Sequence, residues 1–272
     1  MRYNYWLLLV IPVVLFSCKK HKDTTNPQPV PPVPSVLLKD MVIPNLPSPY
    51  YHFEYNETGK VTFASFASNF TMYDIVYSGD RISEMKNNIF VNKDRLQYSY
   101  DNAGRVTTIM YADSMGVAYK RISLTYNGQK LIKLERESKS TAGFILEKTM
   151  MFTYHPDGNL LEITEHHPPV NGSPEFTIVD RLEQYDNKLN TDAFGLLHNE
   201  FFDHFVFLPG VQLQKNNPGK LTRTGDGSNY QIIYTYTYND RRAPLTKNGA
   251  GLWLSGTNAG QAFTSTTIFS YY

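Results

Sequence analysis

The chain has 272 residues, with 26 Lys and Arg against 25 Asp and Glu and a single Cys. A balance this even gives no electrostatic case for nucleic-acid binding. One cysteine excludes an internal disulfide, a CxxC metal site and thiol-pair redox chemistry.

The first seventeen residues read as an export signal, with Arg2 followed by an apolar run from Trp6 to Phe16. That run is too short to span a bilayer as a helix, which takes about 20 residues. It ends at Leu15-Phe16-Ser17-Cys18, which resembles the lipobox of lipoproteins apart from the bulky Phe16. The expectation is cleavage before Cys18 and lipidation of its thiol, so that the membrane is a partner through this anchor; an ordinary cleaved signal or a retained anchor is the alternative. Cleavage removes Arg2 alone and leaves 25 basic against 25 acidic side chains. Lys19, Lys20 and Lys22 beside the anchor can favour anionic headgroups, as a local feature only. No acidic run follows Cys18, which points to the periplasmic side of the outer membrane rather than the cell surface. Asn26 to Pro34 holds five prolines in nine residues, the composition of an extended, semi-rigid spacer. The chain thus divides into a signal peptide (1–17), a lipidated N-terminus with a Pro-rich linker (18–35) and a single β domain (36–272).

Within that domain one phrase recurs. It is clearest at Tyr98-Ser-Tyr-Asp-Asn-Ala-Gly-Arg-Val106 and returns at Phe53–Val61, Val76–Ile82, Leu124–Leu131 and Phe152–Leu160, with weaker copies at Gln184–Leu189 and Tyr236–Arg241. Its second tyrosines stand at 55, 77, 100, 126, 154 and 185, in steps of 22 to 31 residues. Aromatic residues at i and i+2 share one face of a strand, Asn or Asp with Gly makes a turn, and a basic then an aliphatic residue begin the returning strand. Each step therefore holds two strands and two turns, which predicts about sixteen antiparallel strands of roughly 8–11 residues. Ile232, Tyr234, Tyr236 and Tyr238 alternate with Thr235 and Thr237, so one face is apolar and one polar. The fold class is all-β, an up-and-down meander curled into a barrel or barrel-like sheet, which removes exposed edges. One segment departs from it: Phe194, Leu197, His198, Phe201 and Phe205 lie at helical spacing, predicting a short amphipathic helix near 191–206.

The phrase YxYDxxGR resembles the YD repeat of wall-associated and Rhs-type shells. With its lipobox, a late helix, Asn216-Asn217-Pro218 and a final Tyr-x-Tyr hairpin from Tyr236 to Asn239, the chain is similar over about residues 50–250 to a family of Bacteroidetes lipoproteins of unassigned function. That resemblance implies a porin-like β-fold and brings no catalytic residues.

Candidate chemistry is sparse. Glu165-His166-His167 is the densest cluster of ligand-type side chains, with His155 upstream, but neighbouring histidines on a strand point to opposite faces. His198 and His204, six apart on the expected helix, miss the i, i+4 spacing of a zinc pair, although Glu200 and His204 have it. No metal site and no cofactor is expected. No serine of a GxSxG, SxxK or glycine-flanked pattern stands at a strand-helix turn, and Gly225-Asp-Gly227 and Asn248-Gly-Ala-Gly251 read as hairpin turns. Two carboxylates on different strands would leave no spacing signature, so a hydrolase without a motif stays open. Among 38 aromatic residues, Trp253 falls outside the repeat phase in a loop-like stretch and is the best single candidate for an exposed ligand contact; His166 and His167 are further candidates. Counting back from Tyr272 gives Ser270, Ile268, Thr266 and Thr264, a weak terminal signal for a membrane-embedded strand.

These features describe a non-enzymatic, membrane-tethered envelope lipoprotein acting as a binding scaffold, with a glycan or an envelope protein as partner. A pore-forming outer-membrane barrel and a glycan- or peptide-processing enzyme are the alternatives.

Overall fold

The computed structural model describes residues 36–89, 93–170, 172–191 and 206–272, and its folded unit runs from Val36 to Tyr272. Its strands are β1 (Leu38–Val42), β2 (Tyr51–Tyr55), β3 (Val61–Phe66), β4 (Thr71–Ser78), β5 (Arg81–Asn87), β6 (Arg95–Tyr100), β7 (Val106–Ala112) and β8 (Ala118–Asn127). They continue as β9 (Lys130–Ser140), β10 (Gly143–Tyr154), β11 (Leu160–His167), β12 (Phe176–Glu183), β13 (Lys220–Gly225), β14 (Tyr230–Tyr238), β15 (Pro244–Trp253) and β16 (Ala262–Tyr271). Each pairs antiparallel with its neighbour in sequence, and β1 pairs with β16, so the sheet closes into a barrel without edges. The sixteen strands of the repeat argument are all present. Their lengths run from 5 residues in β1 to 12 in β10, a wider spread than the repeat spacing implied. The helix expected near 191–206 falls on residues 192–205, outside the described residues, as does Cys18.

The phrase acts between repeats as well as within them. In the copy at Tyr98, Asp101 N–H bonds to Arg105 O, Gly104 N–H to Asp101 O and Arg105 N–H to the Asp101 carboxylate, closing the turn with Gly104 at φ +82°. The hydrogen bonds from Arg105 hold the Asp101 carboxyl below its ordinary pKa. One residue past each turn the returning strand carries an extra residue: Thr62, Ser83, Thr107, Ile132 and Leu161 bulge out of register opposite Tyr55, Tyr77, Tyr100, Tyr126 and Tyr154. The ladder to the following strand stops just past the bulge, at Phe63, Glu84, Lys133 and Glu162, and the carbonyl before the bulge is met instead by the tyrosine of the next repeat. Tyr77 donates to Val61 O, Tyr100 to Ile82 O, Tyr154 to Leu131 O and Tyr185 to Leu160 O, all at 2.6–2.9 Å. The basic residue serves the same neighbour: Lys60, Arg81, Arg105 and Lys130 lie 4.9–5.3 Å from the ring centres of Tyr77, Tyr100, Tyr126 and Tyr154.

Inward positions make one continuous apolar core, including Tyr51, Phe53, Tyr73, Met85, Leu96, Tyr98, Ile109, Leu134 and Phe152. Part of it comes from the connection between β12 and β13. Val206, Phe207 and Leu208 are 2–3% exposed; Phe207 packs edge-on against Phe53, and its carbonyl accepts the Tyr98 hydroxyl. A sixteen-stranded barrel is wide enough to hold a channel; here a chain segment occupies part of that width, each buried side chain contributing about 1.5–3 kcal/mol. The connection is fastened by the Asn-Asn pair. Asn216 Nδ2 donates to Lys188 O, Asn217 Nδ2 donates to Leu189 O, and the Asn159 side chain accepts from both Lys215 and Asn216 backbone N–H groups.

Outward positions differ in kind. Arg121 pairs with Glu137, Lys133 with Glu135, Arg95 and Lys86 with Glu84, Arg181 with Glu183, and His52 with Asp40.

Candidate functional site

The turns that carry the phrase all lie at one end of the barrel. At the other end the inward residues of β10 to β16 change from apolar to ionic and aromatic. β12 reads Ile178-x-Asp180-x-Leu182 along its inner face, so a carboxylate replaces an apolar residue in phase. Asp180 is opposite Arg223 on β13, Arg223 opposite Tyr230 on β14, and Tyr230 opposite Trp253 on β15. These four side chains form one row across four strands.

Asp180 and Arg223 make a bidentate pair, Nε to Oδ1 at 2.7 Å and Nη2 to Oδ2 at 2.5 Å. The Asp180 hydrogen bonds raise the Arg223 pKa above its ordinary value against the opposing effect of burial. The guanidinium lies 5.2 Å from the centre of the Tyr230 ring. That ring meets Trp253 edge-on at 5.2 Å and Phe263 at 5.8 Å, while Trp253 and Phe263 are 4.9 Å apart. Phe263 has room because the residue opposite it, Gly251, faces inward without a side chain: a Cβ there would overlap the ring. Asn248-Gly-Ala-Gly251 is therefore strand and not a hairpin turn, and Trp253 ends β15 instead of sitting in a loop.

The histidine pair divides as strand geometry requires. His166 faces outward and meets the Thr177 hydroxyl at 3.1 Å. His167 faces inward, 2.5 Å from Glu165 Oε1, with its ring stacked on Phe176 at 4.1 Å. Lys148, whose side chain is 6% exposed, stands 3.7 Å from the same Glu165 oxygen. Trp253 and His167 thus share the inner face of this end, and His166 does not join them. Among the described residues, no three His, Cys, Asp or Glu side chains are placed to hold a metal ion.

Two spaces adjoin the row. One, of about 540 Å³, lies inside the barrel and is lined by Glu165, Asp180, Arg223, Tyr234, Lys247 and Gln214 among others. The second, of about 430 Å³, is lined by Phe176, Ile178, Arg223, Asp226, Tyr230 and Trp253. Sequence reasoning reached Trp253 and, in the Glu165-His166-His167 cluster, Glu165 and His167, but missed Asp180 and Arg223. The signal for Asp180 and Arg223 was available: each interrupts an apolar alternation, Ile178 to Leu182 and Leu221 to Gly225.

The chain has a porin-like fold. It is similar to a porin-like protein from Bacteroides uniformis ATCC 8492, at 13% identity and a TM-score of 0.56, over 82% of this chain and 89% of that one. It is also similar to a porin-like protein from Bacteroides vulgatus ATCC 8482, at 14% identity and a TM-score of 0.57, over 86% of this chain and 98% of that one. No protein-family profile and no curated protein matches the chain.

Proposed function

We propose that the chain is a non-enzymatic, lipid-tethered binding protein of the outer membrane, held on its periplasmic side through Cys18, with a water-immersed barrel and a ligand site on the inner face of β12 to β15. The observation that carries this reading is the sidedness of the barrel. A lipid-embedded barrel presents an apolar band about 25 Å tall and keeps its polar residues inside. In this chain the outward faces of β5, β6, β8, β9 and β12 carry Lys, Arg and Glu, and the continuous apolar cluster points inward around Val206 to Leu208.

The carboxylates nearest the site are each engaged by a cation, Asp180 by Arg223 and Glu165 by Lys148, which favours binding over proton transfer. The tether follows from the lipobox and the proline spacer, which leaves the barrel free of any need to embed. A chain begun at Ser35 is expected to be monomeric without detergent and to give no conductance steps in a planar bilayer; detergent dependence with conductance would establish the pore instead. Radiolabelled palmitate is expected in the full chain and not in Cys18→Ala. Equal labelling of both, or none in either, would remove the tether from this reading.

A further inference from the structure

Resting on that reading, we infer that the row Asp180, Arg223, Tyr230 and Trp253, flanked by Phe176, is a binding site for a neutral oligosaccharide. Three observations carry it. The first is that these aromatic rings are not core. Every repeat tyrosine from Tyr55 to Tyr185 packs into the continuous apolar core, whereas Phe176, Tyr230, Trp253 and Phe263 all stand outside it. Phe176 is 36% exposed, and its ring, with those of Tyr230 and Trp253, borders the 430 Å³ space. Rings placed beside open volume have faces available for a ligand.

The second is dimension. Residues paired across antiparallel strands stand about 4.8 Å apart, so the row extends about 14 Å from Asp180 to Trp253. That is the footprint of a short oligomer and not of one small molecule. Gly225, in the next inward position on β13, adds no side chain above the row; a Cβ there would overlap the Thr177 carbonyl oxygen.

The third is chemistry. A pyranose ring has C–H faces that stack on aromatic rings and hydroxyl edges that both donate and accept hydrogen bonds. The row offers both kinds of surface side by side: rings at Tyr230 and Trp253, then a carboxylate and a guanidinium in one bidentate pair. Because that pair is already neutral in sum, an anionic ligand would have to compete with Asp180 for Arg223. A neutral polyhydroxyl ligand can use the remaining donor and acceptor directions without breaking it.

Trp253 is the one tryptophan of the chain after Cys18, since the other is Trp6, so its emission reports on this site directly. The mature chain would be titrated with maltohexaose, cellohexaose, xylohexaose, mannohexaose and chitohexaose, and with polygalacturonate as the anionic comparison. A saturable shift in Trp253 emission is expected with at least one neutral hexamer and not with polygalacturonate. Tyr230→Ala should weaken that binding roughly three- to tenfold, the loss of one stacking contact. Phe176→Ala, at an exposed position outside the core, should weaken it in the same direction if Tyr230→Ala does not fold. No saturable response to any neutral hexamer, tighter binding of polygalacturonate, or unchanged affinity in folded Tyr230→Ala and Phe176→Ala would each overturn the inference. Shortening of a bound hexamer would uphold the site and overturn the non-enzymatic reading.

Discussion

The hydroxyls of the repeat tyrosines lend themselves to a substitution series with an internal control. Tyr55 donates to Leu38 O, Tyr77 to Val61 O, Tyr100 to Ile82 O, Tyr154 to Leu131 O, Tyr185 to Leu160 O and Tyr271 to Pro244 O. Tyr126 occupies the same position in its repeat, but among the described residues its buried hydroxyl has no hydrogen-bond partner. Replacing any of the six by Phe deletes a net contribution of about 1 kcal/mol and leaves a partly buried carbonyl without its donor, so about 1–2 kcal/mol is expected at each. For a domain of this size that lowers Tm by roughly 2–6 °C. Tyr126→Phe removes a desolvated group that satisfies nothing, and should be neutral or stabilising. Successive sites lie two strands apart, about 9.6 Å, so the triple variant Tyr55→Phe, Tyr100→Phe, Tyr154→Phe should lose close to the sum of the single effects. Calorimetry and urea melts followed by circular dichroism would measure both sets. If Tyr126→Phe cost as much as Tyr100→Phe, or if all seven were flat, the hydroxyl-to-bulge bonds would not be what couples the repeats.

The same tyrosines set an alkaline limit. Burial pushes the pKa values of Tyr100, Tyr126 and Tyr271 up to about 12, against about 10 in an unfolded chain. The folded state therefore binds these protons more tightly; the contribution is complete below pH 10 and is lost as pH rises towards 12. Tyrosinate absorbance should rise together with loss of β signal, and titration near pH 10 with the barrel intact would contradict this. Arg223→Leu leaves the Asp180 carboxylate unpaired on the inner face; with the two side chains 25% and 16% exposed, about 2 kcal/mol is expected, below the range for fully buried pairs. Asp180→Leu/Arg223→Leu should recover most of that loss in a denaturant melt, and a double variant weaker than either single one would argue against a self-contained pair. Among the glycines, Gly225→Ala should cost more than Gly251→Ala, because Gly225 has φ +114° and faces the Thr177 backbone, whereas Gly251 faces a ring that can swing. The reverse order would refute this assignment. Gly251→Ala should also shift Trp253 emission, because Phe263 would move.

What the sequence makes legible follows the range of each interaction. Asn or Asp with Gly closes a turn through bonds within five residues, as Asp101 to Arg105 shows, so turn and strand order can be read directly. The role of Arg105 was hidden because its ring partner, Tyr126, belongs to the next repeat. Gly249 and Gly251 misled for a related reason: a glycine in a strand looks like a turn until the residue opposite is known, and the residue opposite Gly251 is Phe263. Val206-Phe-Leu208 gives no period in three residues, so nothing local announces that it fills the barrel. The row at Trp253 was half visible. One aromatic residue out of phase could be seen, but its alignment with Tyr230, Arg223 and Asp180 depends on a register that pairing alone sets.

Closure of the barrel uses the same phrase divided between the two ends of the folded unit. Tyr271 donates to Pro244 O as Tyr100 donates to Ile82 O, and Tyr271 is opposite Leu38 as Tyr100 is opposite Val106. The irregularity after Leu38 puts Lys39 where Thr107 bulges, and Tyr272 N–H bonds to Leu37 O at 3.1 Å, matching Asp101 N–H to Arg105 O at 3.0 Å. Only the three residues that would complete the turn are missing between Tyr272 and Leu37. Joining them through Asn-Ala-Gly, and opening the chain at the exposed Thr141-Ala142 turn between β9 and β10, should therefore give a permuted barrel with a Tm within a few degrees of the parent. A parent chain with a short insertion at the same turn separates damage there from failure of the new junction. If that insertion is tolerated and the permutant melts far lower, the ends do not form an eighth copy of the phrase, and closure rests on the β1–β16 ladder alone.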